Sequence, residues 1–383
     1  MESLFFPIFK GLQEQGEIRV HVMQFSWAGP KEVQRISALA DSFGIPYVQY
    51  PIHRKPIAAI GAIWSVYLGV FYLKKHIQEH QIQILMPRST MPAMMVNRLW
   101  GWLRKQSVSV VFDADGLPLE ERVDYAGLDP SGRQYLLLKK EEEKILRKAD
   151  KVITRSQKSI AIHLDKIGMA HQRKFFKVGN GRDGLFFKPD SESRGRIRKG
   201  FGLSDEDILW VYTGTVGPQY MVEEMLGLFG VFHQSNPRSK FLILTRNTDF
   251  LEGKIPWILS DSVIVQSGSY KEIPYYLSAA DLGLSLRKAA FSLAGIAPIK
   301  LGEYLLCGLP VIASSGVGDT EEMLKDKDFC FLVEEGDLYS GDFREWIGGL
   351  AKLDRGKIRE FGLENFSLEQ SVGSYLGMLN EEL

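Results

Sequence analysis

The stretch "DLGLSLRKAAFSLAGIAPIKLGEYLLCGLPVIAS", residues 281–314, decides the fold. "DLGLSL" reads as a buried strand and "RKAAFSLAGIA" as the loop at its carboxyl end. Pro298 is predicted as a first-turn helix residue, Gly308 as the C-terminal stop, and "PVIAS" as the next strand. A strand, loop, helix and strand with every boundary marked is the repeat of a parallel sheet covered on both faces. On the helix, Leu301, Tyr304 and Leu305 share the face turned to the sheet, while Lys300 and Glu303 lie side by side near the N-terminal end. Ligands of parallel sheets bind beyond the carboxyl ends of the strands, so the two charges are predicted to face a cleft. A helix N-terminus suits phosphate, Lys300 adds a full positive charge, and a carboxylate one turn on can accept hydrogen bonds from the vicinal hydroxyls of a ribose. Together they fit a nucleoside diphosphate; the alternative is a surface Lys–Glu pair of little energetic weight.

The same alternation extends in both directions. Downstream of a Gly, Asn and Pro-containing connector, "FKVGNGRDGLFFKPD" at 176–190, the pattern restarts with "DILWVYTGTVG", a helix at 221–234, "SKFLILTRN" and "SVIVQSG". Upstream, a helix over the first fifteen residues precedes "IRVHVMQF", "PYVQYP", "IQILMP", "VSVVFDADG" and "KVITRS", each separated by a helical segment. Ser156 is placed to cap the helix "QKSIAIHLDK". The expected architecture is α/β, two Rossmann-like doubly wound domains facing each other across a cleft. Their bounds are 1–183 and 184–383, with the last helix available to cross back to the first domain. "YTGTVG" ends a strand with Gly214 and Gly217 around Thr215, where backbone N–H groups can approach an anion or simply make a tight turn.

Composition narrows the class. The chain has 383 residues, 45% of them hydrophobic, and 47 acidic against 47 basic side chains, so the bulk electrostatic signature of a nucleic-acid binder is missing. Only two cysteines occur, Cys307 and Cys330, read as buried thiols in a reducing compartment. The N-terminus carries Glu2 where an export signal would be basic, which points to the cytoplasm. "PIAAIGAIWSVYLGVFYL", residues 56–73, is uncharged and flanked by Arg54, Lys55, Lys74 and Lys75. It reads as a helix buried against a sheet, or as one lying on an anionic membrane surface. No metal-ligating set is picked out, and a monomer is expected.

"YTGTVG", "YKEIPYYLSAADLGLSL", "PIKLGEYLLCGLPVIAS" and "GDTEEML", with "ADKVITRS" and "VGNGRDGLFF", resemble a bacterial family 4 glycosyltransferase of the GT-B fold. The resemblance spans nearly the whole chain and is most specific from Tyr270 to Leu324. It implies a nucleotide-sugar donor, a UDP- or GDP-sugar, held mainly by the second domain and transferred with retention of configuration, without a metal or cofactor. The acceptor would be a glycan or lipid-linked glycan, with a peripheral contact at the inner membrane face. Carried onto this chain, it makes Glu303 the holder of the donor ribose and puts Lys300, Ala297 and Pro298 near the diphosphate. Gly214 and Thr215 would line the donor site, with Gly316 and Gly318 bordering it. Asp113 and Asp115, at the end of "VVFDADG", stand where acceptor or reaction-centre contacts would fall; capping a turn is the equal alternative.

Three positions depart from the family pattern. Gly295 stands eight residues before Glu303, where an acidic residue is often found near the donor sugar. Pro218, Gln219, Tyr220 and Met221 follow the "GTVG" turn in place of a basic pair, which leaves the diphosphate to Lys300 helped by Arg246, Arg287 or Lys288. The chain also opens inside the first helix rather than on a strand, which would leave the first sheet short of a central member. These departures keep a second reading open, a glycosyltransferase-like subunit that binds a partner or nucleotide without turnover. A nicotinamide oxidoreductase is disfavoured, since no G-x-G-x-x-G follows an early strand.

Overall fold

Among the described residues, twelve short strands, most of them predominantly apolar, organise the chain. The computed structural model describes residues 4–53, 57–334 and 341–381. Two compact units emerge: Met1–Gly179 with Phe291–Ile296 and Ser371–Leu383, and Asn180–Ala290 with Ala297–Gln370. Arg54 and Lys55, two of the basic flanks noted above, fall outside the described residues.

In the first unit, β1 (Val22–Ser26) pairs in parallel with β2 (Tyr47–Pro51). A separate parallel sheet has the order β3 (Ile84–Leu85), β4 (Ser109–Asp113), β5 (Lys151–Thr154), β6 (Phe175–Lys177). Among the described residues β1 and β3 are not hydrogen-bonded to each other, so the strands of this unit form two sheets. β4 and β5 are buried along almost their whole length because helices cover both faces. The helix Gln157–Ile167 starts where Ser156 Oγ accepts from Ser159 N at 3.1 Å, satisfying one of the free N–H groups of its first turn.

The helix Ala58–His80 corrects one expectation: it is not buried all round. Val66, Leu73 and Ile77 face the core, while Ile60, Ile63, Trp64, Tyr67 and Phe71 form an exposed stripe at helical spacing. Among the described residues no helix is long and apolar enough to cross a membrane.

The second unit is one six-stranded parallel sheet: β7 (Leu209–Thr213), β8 (Lys240–Leu244), β9 (Val263–Gln266), β10 (Leu282–Ser285), β11 (Val311–Ser314) and β12 (Cys330–Val333). Their spatial order is β12, β11, β10, β7, β8, β9, the doubly wound order in which the winding reverses between β7 and β10. Alternation along β7 builds both faces of the core. Trp210 and Tyr212 join Phe229 and Phe241 on one side, whereas Leu209 and Val211 join Tyr304 and Leu305 on the other. The helix Ile299–Leu306 covers the second face and stops at Gly308, whose φ of +69° suits glycine and whose Cα faces the Arg355 carbonyl so closely that a Cβ would lie 2.6 Å from it.

Candidate functional site

The winding reversal between β7 and β10 brings three loops together, and each carries residues singled out in the sequence. β7 runs into Gly214, whose φ of +117° only glycine adopts without strain, and the Tyr212 hydroxyl closes the turn by donating to the Thr215 carbonyl at 2.5 Å. β10 runs into Arg287, whose N–H donates to Ser314 Oγ at 2.9 Å and so ties this loop to the end of β11. Lys288 N–H donates to the Gln219 carbonyl at 3.0 Å, which holds the same loop against the short turn Pro218–Tyr220.

Lys300 lies in the first turn of the helix Ile299–Leu306; Pro298, expected as its first residue, is the N-cap and has extended backbone. The Lys300 Nζ sits 3.8 Å from the centre of the Tyr212 ring and 4.9 Å from that of Tyr220. Its stem keeps partial solvent access, but the Nζ itself is covered and has no hydrogen-bond partner among the described residues. A Cβ on Gly214 would stand 3.6 Å from that nitrogen, so the turn passes directly over it. Burial, and then the nearby Arg287 guanidinium, push the Lys300 pKa well below the ordinary lysine range, with Glu303 pulling the other way. Tyr220 is shared: the Arg287 guanidinium lies 4.9 Å from its ring centre. Two cations thus converge on the aromatic residue that stands where a basic pair was looked for.

Glu303 is 8% exposed and pairs with Arg182, Nε to Oε1 at 3.0 Å. Burial raises its pKa, opposed by Arg182 and Lys300. Arg182 is held in turn by its backbone N–H, which donates to the Phe366 carbonyl at 2.9 Å. Ala297 and Pro298 are half-buried just before the helix, and the Asn180 amide reaches the Ala297 carbonyl at 3.5 Å. Gly316 and Gly318 follow β11 with φ of +73° and +50°, and a Cβ at Gly316 would meet open space. Arg246 is exposed beyond the carboxyl end of β8. Structure therefore brings Gly214, Lys300, Arg287 and Glu303 to one place, and adds Arg182, Tyr212 and Tyr220, which the sequence reading did not single out. Arg182 lay inside the quoted "VGNGRDGLFF", but nothing in its local spacing pointed to a partner over a hundred residues away.

In the first unit, Asp113 at the end of β4 is 1% exposed. Its Oδ2 accepts from Arg88 Nη1 at 2.7 Å and Arg155 Nη2 at 2.8 Å, while Oδ1 accepts from Asp115 N–H at 3.0 Å. That last bond is the turn cap foreseen as one of two alternatives. Asp115 has a φ of +53°, pairs with the outer nitrogen of Arg88, and keeps a third of its side chain exposed. Burial raises its pKa, and Arg88 opposes the shift.

Gly295 belongs to the first unit and faces Gly116 of the "DADG" turn. A Cβ on Gly295 would lie 2.6 Å from Leu117 N, and one on Gly116 would lie 2.2 Å from the Gly295 carbonyl oxygen. Both contacts are to backbone, so no side chain fits at 295. The segment Phe291–Gly295 is fixed there by Ser292 N–H donating to Asp124 at 2.8 Å and by the Ser156 hydroxyl donating to the Ala294 carbonyl at 2.5 Å.

No family model matches the chain, and no curated protein matches it in sequence. Solved structures do match in shape. HepE of Anabaena, in complex with UDP and glucose, aligns over 98% of this chain and 95% of its own at a TM-score of 0.71 and 15% identity. Sucrose-phosphate synthase of Thermosynechococcus elongatus aligns over 94% and 98% at 0.66 and 16%. UDP-GlcNAc 2-epimerase of Neisseria meningitidis, bound to UDP-GlcNAc, aligns over 98% and 96% at 0.60 and 13%. The chain has the GT-B fold, two Rossmann-like α/β units, as the sequence led one to expect.

Proposed function

We propose that the chain is a retaining glycosyltransferase resembling family 4, which moves a monosaccharide from a UDP- or GDP-sugar to a glycan or lipid-linked acceptor in cell-surface polysaccharide synthesis. The observation that carries this reading is the Lys300 Nζ, covered, without a partner, and placed at the winding reversal beneath the Gly214 turn with Arg287 beside it. A buried amine left unpaired is costly, and an incoming anion offsets that cost. In transfer, the bond from the sugar C1 to the diphosphate breaks, its electron pair stays on the diphosphate oxygen, and the acceptor hydroxyl oxygen takes its place at C1 while passing its proton to that leaving oxygen. Lys300 and Arg287 hold the negative charge that builds on the leaving diphosphate. Glu303, oriented by Arg182, takes the ribose hydroxyls; Gly214, Thr215, Ala297, Pro298, Gly316 and Gly318 offer backbone to the donor. Asp115 is the acceptor-side carboxylate that keeps solvent access, and Asp113 positions it.

The exposed stripe Ile60, Ile63, Trp64, Tyr67 and Phe71, continued by Lys74 and Lys75, supports a peripheral seat on an anionic membrane face, where a lipid-linked acceptor would be found. A second reading, a glycosyltransferase-like chain that binds nucleotide without turnover, is favoured by one observation: the backbone contact at Gly295 leaves no room for an acidic residue. The deciding experiment incubates the full chain with UDP- and GDP-sugars and measures donor hydrolysis and transfer. Release of sugar from one donor, abolished in Lys300→Met, supports transfer. Nucleotide binding with no release from any donor, with or without acceptor glycans, overturns it in favour of the second reading.

A further inference from the structure

Away from the donor site, three histidines of the first unit converge. His76 and His80 stand one turn apart on the last two turns of the helix Ala58–His80, so they share a face. His21 is the residue before β1 and comes from a distant part of the sequence. One ring nitrogen from each lies within 4.8 Å of those of the other two. Among the described residues, His21 Nδ1 and His76 Nε2 are covered and have no hydrogen-bond partner. Two unsatisfied imidazole nitrogens in one histidine cluster ask for a ligand, since a buried polar atom without one costs about 1–3 kcal/mol.

We propose that His21, His76 and His80 form a three-histidine site for a divalent d-block cation, Zn2+ in the first instance, with a fourth position open to water. Imidazole nitrogens in a tetrahedral zinc site lie about 2.0–2.1 Å from the metal, which sets them roughly 3.3 Å apart. In this structure one nitrogen from each ring lies within 4.8 Å of the others, and the ring centroids of His76 and His80 are 4.3 Å apart. His21 and His80 border an open pocket of about 490 Å3 with Gln13, Arg19 and Pro46, which supplies the way in and room for the water. Arg19 places a positive charge near His21, and Glu79 a negative charge near His76. Bound metal would tie the end of the exposed amphipathic helix to the start of β1, fixing the helix without touching the donor loops. The H-x-x-x-H spacing at 76–80 was visible in the sequence, but its third partner came only with the fold.

The test uses the full chain without a histidine tag, stripped with chelator, and ZnCl2 or CoCl2 alone. One tightly held zinc per chain, a melting temperature that rises with zinc concentration, and the strong visible absorption of four-coordinate cobalt are expected. His80 is exposed, so His80→Asn leaves the fold intact, and it is expected to weaken zinc binding at least ~10-fold, as does His76→Asn. His171→Asn, a half-buried histidine elsewhere, changes nothing. A cobalt spectrum like that of the aqueous ion, or zinc affinity equal in parent and the His76→Asn/His80→Asn double variant, overturns the site. Donor hydrolysis is a separate readout, so failure of the metal site leaves the transferase reading untouched.

Discussion

Replacing Lys300 with Met separates a nucleotide-binding lysine from a merely buried one. In the ligand-free chain the Nζ is covered, lacks a partner and lies over the Tyr212 ring at 3.8 Å. Met keeps the apolar stem and removes the polar atom. An unsatisfied buried donor costs about 1–3 kcal/mol, discounted here because the stem keeps some solvent access, so the ligand-free variant should be as stable as the parent or more so. Binding moves the opposite way. A hydrogen bond to a charged group contributes about 1.5–3 kcal/mol, hence UDP or GDP should bind roughly 10- to 150-fold more weakly to Lys300→Met. The assay is calorimetric titration of parent and variant with UDP, GDP and the bare nucleosides, alongside thermal denaturation. Loss should be confined to the diphosphates, because the lysine is assigned to them and not to the base. If the variant melts several degrees lower and binds diphosphate and nucleoside equally poorly, Lys300 is a packing residue and the reasoning fails.

The depressed Lys300 pKa adds a sign that can be checked. Because the free chain holds this proton less well than an unfolded chain, the lysine destabilises the fold at low pH, and stability rises with pH between the lowered folded pKa and the unfolded value near 10.4. At a pH above the lowered value, diphosphate binding should take up a proton, seen as a binding heat that varies with the ionisation enthalpy of the buffer and is lost in Lys300→Met. Glu303→Ala should lower stability as well as donor affinity, since it leaves Arg182 without its carboxylate; Glu303→Gln, which keeps the shape, is the cleaner probe of ribose binding by calorimetry. Gly295→Glu, which installs the acidic residue often found there in the family the sequence resembles, should cost at least about 1–3 kcal/mol in denaturant titration and not raise activity, because its Cβ has backbone 2.6 Å away. In the first unit, Lys139 bridges the buried Glu120 and Glu142, so Lys139→Met should destabilise by about 3–5 kcal/mol, measured by urea unfolding. Trp64→Glu, on the exposed stripe, should reduce co-sedimentation with vesicles rich in anionic lipid while leaving nucleotide affinity unchanged.

How far the sequence went depended on whether a signal was local. Apolar runs such as "LWVYT" and "PVIAS", bounded by Gly and Pro, marked parallel strands because a strand covered on both faces has to be apolar throughout. Gly308 and Ser156 marked helix ends because caps depend on one residue's φ or one short side-chain bond. The helix Ala58–His80 was harder: its sequence is apolar on nearly every side, so periodicity could not say which face stays in solvent.

By itself, the sequence determined the α/β class, the restart of the pattern near residue 180, and the presence of a lysine and a carboxylate one turn apart at a helix N-terminus. Those are properties of neighbours along the chain, and short-range sterics and hydrogen bonding express them directly. Tertiary structure alone decided who stands opposite them. It paired Glu303 with Arg182, seated Lys300 on Tyr212, spent Asp113 on Arg88 and Arg155, and pressed Gly295 against Gly116. The His21 partner of His76 and His80 was settled the same way. Such pairings join residues far apart in sequence, and which of many possible partners a buried charge or ring meets is set by the packing of the whole core.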